Sequence, residues 1–368
     1  MTVATDSLKG LPRPAPDRAF YEATLEAGFR RFPRRRANYL KCLASTRADV
    51  ADYLPIRLDV ENVSRCNYHC TMCQVSDWPG LKRAEDMSLE DFKRLIDSQY
   101  GVVEIKLQGM GEPFLGKSYV EMIAYARAQD IWVRSTTNAS LLHLNDNARR
   151  VIDADICELQ VSIDGATQKT YETIRLGGRF DPVTDNCRLL NRYAREADKK
   201  RTRMWTVVQK ENFHEVGQLP ALAADLGFDR MTLSLDLNDW GQERWRAIND
   251  PLDTHERFDA ALAHELIDDG KARGVEVTFW LIDEKYETDS PTHLCPWPFE
   301  RAFVSSDMRI VPCCMIGNPQ VVDVGDARDF TTAWNEKKIR AFRGLHLAGK
   351  IPKVCQTCYQ QREAPKHP

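Results

Sequence analysis

With 368 residues, 43% of them hydrophobic and 29% charged, the chain is long enough for one large domain and a smaller one, with ample core. A formal charge of −3 argues against a protein drawn to nucleic acid by electrostatics, and no apolar run reaches the length of a membrane span. The polar N-terminal stretch carries no secretory hydrophobic region, so the eleven cysteines are expected in a reducing cytoplasm, as metal ligands rather than disulfides.

Residues 1–55 read as an N-terminal extension. Leu11-Pro12-Arg13-Pro14-Ala15-Pro16 predicts an extended, mobile lead-in. Helical spacing follows through Phe20, Leu25 and Phe29, and then comes the basic run Arg30, Arg31, Arg34, Arg35 and Arg36. A solvated face is the first reading of such a run, and a docking strip for an acidic substrate or carrier is the second.

Residues 56–288 alternate strand-like and helix-like segments. Strands are predicted at 56–60, 103–107, 131–135, 158–163, 203–208, 230–235 and 275–281. Helices are predicted at 118–128, 145–152, 183–196, from about 215, and at 255–273. Repeated βα units imply an α/β protein with a parallel sheet flanked by helices. The count fits a partial (β/α)6 TIM-like barrel, with its functional residues at the C-terminal ends of the strands. Residues 289–368 then form a small cysteine-bearing domain.

The chemistry-bearing residues sit at those strand ends. Cys66, Cys70 and Cys73 place three thiols within eight residues just after the first strand. On a [4Fe-4S] cubane they leave one iron without a protein ligand and therefore open to chemistry. With His69 or a distant cysteine they also satisfy zinc. After the second strand, Gln108-Gly109-Met110-Gly111-Glu112-Pro113 lets backbone approach a ligand closely, with a carboxylate that accepts from an ammonium group.

Ser135-Thr136-Thr137-Asn138 and Ser162-Ile163-Asp164-Gly165 close the third and fourth strands with small polar groups suited to hydroxyl or carboxylate recognition. For Thr137 and Asn138, turn capping competes with ligand contact. Residues 208–212, Asp236 and Asn238 follow the next two strands and face either a ligand or solvent. In the C-terminal quarter stand Cys295, a hairpin, Cys313-Cys314 and Cys355-Gln356-Thr357-Cys358. Four such thiols saturate one cluster, or else build a zinc ribbon. Cys42, Cys157 and Cys187 are small buried hydrophobes by default, and these three with Cys314 are the available hydrogen-atom donors.

The C-x3-C-x2-C loop after a first strand, the Gly-Glu-Pro turn after the second and the C-terminal cysteine set together resemble the radical S-adenosylmethionine (radical SAM) enzymes, in the branch with a short SPASM extension. The resemblance covers nearly all of the chain after Pro55. It implies a [4Fe-4S] cluster on Cys66, Cys70 and Cys73 that chelates S-adenosylmethionine, and an auxiliary [4Fe-4S] cluster on Cys295, Cys313, Cys355 and Cys358. Family spacing favours Cys313 over Cys314. The resemblance also implies that Gly111 and Glu112 hold the methionine amino group, that Ser162 and Asp164 lie beside the ribose, and that Asn138 and Arg175 contact cofactor or substrate. Two positions depart from the family: Met72, where an aromatic residue is usual, and Met308, where glycine is.

The implied reaction is one-electron cleavage of S-adenosylmethionine, fed by a flavodoxin- or ferredoxin-type donor, followed by hydrogen abstraction from an unactivated carbon. No catalytic side chain is singled out. The short extension before the barrel points to a natural-product substrate, a sugar, aminoglycoside or other small metabolite, undergoing dehydrogenation or epimerisation. The alternative is a peptide maturase that crosslinks, epimerises or oxidises a ribosomally made precursor. Outside the family stand an iron–sulfur electron carrier and a zinc-stabilised scaffold.

Overall fold

Strands β1 (Arg57–Val60), β2 (Glu104–Leu107), β3 (Trp132–Thr137), β4 (Glu158–Ser162), β5 (Thr202–Val207), β6 (Arg230–Ser234) and β7 (Glu276–Trp280) lie side by side in chain order, all parallel, in the computed structural model of the protein. It describes residue 8 and residues 10–254, 257–281 and 286–359. Side chains alternate across each strand. One face is aliphatic: Leu58, Ile105, Val133, Leu159, Met231 and Val277 belong to a single core. The other face is polar, with Asp59, Lys106, Arg134 and Glu158 in register across β1 to β4. Arg134 pairs with Glu104 at 2.8 Å, and Arg203 donates to both Thr232 and Thr278 at 3.3 Å. A closed barrel fills this space with aliphatic layers, whereas a polar inner face suits a half-barrel that admits a ligand.

Helices α1 (Arg18–Arg31) and α2 (Pro33–Ala44) precede the sheet. The strands are joined by α3 (Leu89–Ser98), α4 (Tyr119–Arg127), α5 (Asn147–Asp153), α6 (Gln168–Ile174), α7 (Phe180–Glu196), α8 (Leu219–Asp225), α9 (Glu243–Asn249) and α10 (Ala260–Ala272). Helix α7 shows why these segments are helical: Val183, Cys187, Leu190 and Ala194 recur at helical spacing and are all buried. Each large side chain buried in this way contributes roughly 1.5–3 kcal/mol. Six βα units and a seventh strand make the partial barrel that the sequence predicts. The predicted start of the last helix, His255, lies outside the described residues.

The C-terminal part is not a separate layer. β8 (Arg301–Val304) pairs in parallel with β1, from Arg57 opposite Arg301 to Val60 opposite Val304. β9 (Arg309–Val311) and β10 (Gly325–Asp326) follow antiparallel, so the order is β10-β9-β8-β1-β2-β3-β4-β5-β6-β7 and the sheet stays open. Met308 turns the β8–β9 hairpin with φ of 63°, the left-handed conformation that accounts for glycine being usual there. Helices α11 (Trp297–Glu300), α12 (Phe330–Ala333) and α13 (Lys337–Leu347) complete the fold.

One expectation for the N-terminal extension is corrected. The proline-rich stretch is docked rather than a free lead-in: Pro12 O accepts from Phe279 N at 2.8 Å, and Ala15 O accepts from Arg203 at 3.0 Å. It covers part of the free edge of β7, and proline cannot donate to a further strand. The basic run is a solvated face, as expected, at every arginine but Arg35. Arg35 is 4% exposed and donates to Gln129 O at 2.7 Å, Arg31 donates to Ala128 O at 2.6 Å, and Arg34 lies 3.6 Å over the Tyr100 ring. Arg30, Arg31, Arg34 and Arg36 are all exposed.

Candidate active site

The chain leaving β1 crosses the C-terminal ends of the strands as a loop pinned by its backbone. Cys66 N donates to Leu81 O at 3.2 Å, His69 N to Leu176 O at 3.0 Å, and Thr71 N to Ile174 O at 3.0 Å. Cys66, Cys70 and Cys73 are half-buried along it, while His69 turns outward. Burial raises all three thiols, Cys73 up to about 12, and at Cys70 the neighbouring Arg175 guanidinium opposes the rise. A metal centre therefore has to displace their protons. A zinc tetrahedron with Zn–S bonds of about 2.3 Å draws its sulfurs to within about 4 Å of one another. Among the described residues, the one set of three ligand atoms within 4.8 Å of each other is Glu287, Asp289 and His293, all exposed; the thiol sets are wider.

The Gly-Glu-Pro turn packs directly on this loop. A Cβ on Gly111 would lie 2.4 Å from Arg65 O and 2.5 Å from Val63 O, so only glycine fits, and Glu112 N donates to Arg65 O at 3.0 Å. The Glu112 carboxylate is 2% exposed and accepts from Thr137 Oγ1 (2.7 Å), Asn138 N (2.7 Å) and Phe114 N (3.3 Å). An ionised carboxylate has about four acceptor sites, so one is left for a ligand donor. Burial lifts the acid to about 7 against those hydrogen bonds. Asn138 serves the loop: its side chain donates to Asn67 Oδ1 at 3.0 Å and reaches Cys66 Sγ at 4.0 Å.

Asp164 is fully buried, 2.6 Å from Arg175, and accepts from Val207 N at 2.8 Å. Asn212 donates to Asp164 O and Val207 O, so the predicted stretch after β5 locks two strand ends together. Gln209 is 0% exposed, and among the described residues no group pairs with either of its amide atoms. Ser162 lies level with Trp205 of β5. The inner face also carries residues that sequence reasoning missed. Trp205 and Trp280 face each other with ring centroids 6.3 Å apart, and Trp280, on the edge strand, is 44% exposed. Their signal was parity with the inward-facing Arg203 and Thr278.

Beside this mouth is a cavity of about 220 Å³ lined by Cys295, Cys313, Cys355 and Cys358, with Asp236 and Asn238 on the barrel side. Cys314 is not among the lining residues; it hydrogen-bonds the Cys313 thiol, which with burial holds that thiol high. Burial pushes Cys295 up to about 12. Four thiols converging on one cavity fit a fully ligated cluster.

The sequence matches the family model of the radical SAM superfamily over residues 63–223, and that of SPASM, an iron-sulfur cluster-binding domain, over residues 295–359. The chain belongs to the radical SAM superfamily, in its SPASM-bearing branch. This radical SAM protein is thereby an enzyme that uses S-adenosylmethionine with a [4Fe-4S] cluster, and it carries an auxiliary cluster. It is similar to PqqA peptide cyclase of Bradyrhizobium diazoefficiens, 20% identical over 312 residues, 83% of this chain and 79% of that one. It is 26% identical to mycofactocin maturase MftC of Mycolicibacterium smegmatis over 193 residues, 52% of this chain but only 47% of that protein. Its fold matches that of Streptococcus suis SuiB bound to the precursor peptide SuiA, with a TM-score of 0.60 at 15% identity over 78% of this chain and 66% of that one.

Proposed function

We propose that this radical SAM enzyme modifies a peptide rather than a sugar or other small metabolite. The observation that carries the reading is the open side of the half-barrel. Among the described residues, no strand closes the sheet beyond β7. Pro12 O caps Phe279 on that edge, and past the cap the exposed ring of Trp280 stands at the opening, beside Trp205 and level with the strand ends. An extended chain can enter sideways there and lay one side chain against the rings while its flanks stay outside. The relatives add support, since their names describe a peptide cyclase, a maturase and a protein solved with a precursor peptide.

In this reading Cys66, Cys70 and Cys73 hold the first cluster, and Cys295, Cys313, Cys355 and Cys358 the auxiliary one. Held there, the cluster together with S-adenosylmethionine would supply one-electron chemistry for hydrogen-atom abstraction from an unactivated carbon. Glu112 accepts the ligand's ammonium at its one unused acceptor site, and Gly111 lets that turn sit against the cysteine loop. Arg175, held by Asp164, places a fixed positive charge near Cys70. Asn138 positions Cys66, and Ser162 faces the ligand from the end of β4. The Trp pair keeps the reacting carbon in place and water out.

The test uses anaerobically reconstituted protein with dithionite and S-adenosylmethionine. Formation of 5′-deoxyadenosine is measured alone, with a peptide fraction of the producing cells, and with the same fraction after protease digestion. Stimulation that digestion abolishes is the expected result. Stimulation that survives digestion returns the substrate to the small-metabolite class.

A further inference from the structure

Gln74 follows the last cysteine of the first loop and is 1% exposed. Its carboxamide uses every hydrogen-bonding capacity it has, on three separate segments. Nε2 donates to Ile316 O at 2.9 Å and to Met110 Sδ at 3.2 Å; Oε1 accepts from Gln242 Nε2 at 3.2 Å and from Asn318 Nδ2 at 3.4 Å. Ile316 and Asn318 lie in the loop that begins at Cys313, and Met110 lies in the Gly-Met-Gly-Glu turn. The Met110 methyl group also packs on Gly317, where an added Cβ would come within 2.5 Å of it. Two residues earlier, Met72 O accepts from Trp240 Nε1 at 3.3 Å and from Asn249 Nδ2 at 3.2 Å, and Asn238 donates to Met315 O at 2.9 Å. The two cysteine loops, far apart in sequence, thus meet through one buried amide.

We infer that Gln74 is a positioning residue that makes the two cysteine loops a single mechanical unit, so that the state of the auxiliary site sets the geometry of the Cys66–Cys73 loop. The inference rests on the two-cluster reading above, but its mechanical part does not depend on iron. The loops can separate only by breaking the two of these hydrogen bonds that reach Ile316 and Asn318, and the leftover groups then lie unpaired away from water. An apolar side chain of similar bulk, such as leucine, removes the link.

Two measurements test this. In cluster-free protein, amide hydrogen exchange is followed in residues 66–76 and 313–320. Gln74→Leu is expected to speed exchange in both segments together, by about tenfold; acceleration in neither, or in one alone, overturns the inference. In reconstituted protein, the paramagnetic resonance signal of the first cluster with S-adenosylmethionine is compared for the parent, Cys355→Ala, Gln74→Leu and the double variant. Cys355→Ala and Gln74→Leu are expected to alter that signal in the same way, with nothing added in combination. An unaltered signal in Gln74→Leu, or additive changes, overturns the inference. Where Gln74→Leu does not fold, Asn318→Ala removes one of the four bonds and is read the same way. A parent whose iron signal ignores S-adenosylmethionine refutes the functional reading instead, and the exchange result still decides the role of Gln74.

Discussion

Glu112 is asked to carry a charge where water does not reach. Its folded-state pKa of about 7 lies above the ordinary 4.5, so its contribution to stability is fully present below pH 4.5 and is lost as pH rises through about 7. A shift of this size corresponds to something on the order of 3 kcal/mol. Urea unfolding of the cluster-free protein across that window should therefore show stability falling with pH. Glu112→Gln should flatten that part of the slope, whatever its baseline; an unchanged slope would mean that another buried acid sets it. Gly111 is constrained by shape instead. Gly111→Ala forces a Cβ onto two backbone oxygens of the cysteine loop and should destabilise the protein by roughly 3 kcal/mol, with loss of iron per chain. Gln209 tests the reverse case. A buried amide with no partner among the described residues is better replaced by an apolar group of like shape, so Gln209→Leu should raise the unfolding midpoint while weakening ligand binding. A gain in stability with unchanged ligand affinity would show that the amide serves no ligand.

At the scale of elements, the proline-rich segment protects a sheet edge. Removing residues 1–16 should expose β7 and produce concentration-dependent association, measurable by light scattering, with Trp280 adding apolar surface at the same edge. Association no greater than in the full chain would leave the segment without that role. Strands, most connecting helices and the cysteine sets were legible because their signals are local: aliphatic alternation, helical spacing and thiols in short runs; α3, α6 and α9, of ten residues or fewer, were not read from the sequence. The docking of Arg31 and Arg35 was not, because carbonyls at 128 and 129 become their partners only once β3 is in place. The pairing of β8 with β1 joins residues more than 240 positions apart and leaves no mark in either segment. The doublet Cys313-Cys314 was ambiguous by spacing, and the cavity lining separates the two. Gln74 and the Trp pair escaped notice because ordinary residue types gain meaning here only from which face they share.

At the scale of the whole molecule, barrel and C-terminal segment do not form two independent cores. Glu61, fully buried at the end of β1, accepts from Arg83 at 2.8 Å and from Ser306 N at 3.1 Å, and Arg83 also reaches Asp307 at 2.9 Å. A chain ending at residue 288 loses the hairpin that completes this pair, leaves β1 as an open edge and strips Ile316 O from Gln74. Both partners of the Glu61–Arg83 pair stay in such a chain, but Glu61 loses the Ser306 N donor and Arg83 loses the Asp307 carboxylate. Each hydrogen bond to a charged group is worth roughly 1.5–3 kcal/mol of the 5–15 kcal/mol that holds a typical domain folded. The truncated chain is therefore expected to be insoluble or to unfold without cooperativity, rather than to persist as a barrel that binds the first cluster. Cys355→Ala, by contrast, leaves the hairpin and its hydrogen bonds in place and should stay soluble with iron on Cys66, Cys70 and Cys73. Calorimetry and iron per chain on both variants decide the point. A soluble, cooperatively melting truncation that binds iron would mean that the shared sheet is a convenience of assembly, and the two sites would then have to communicate by some route other than the fold.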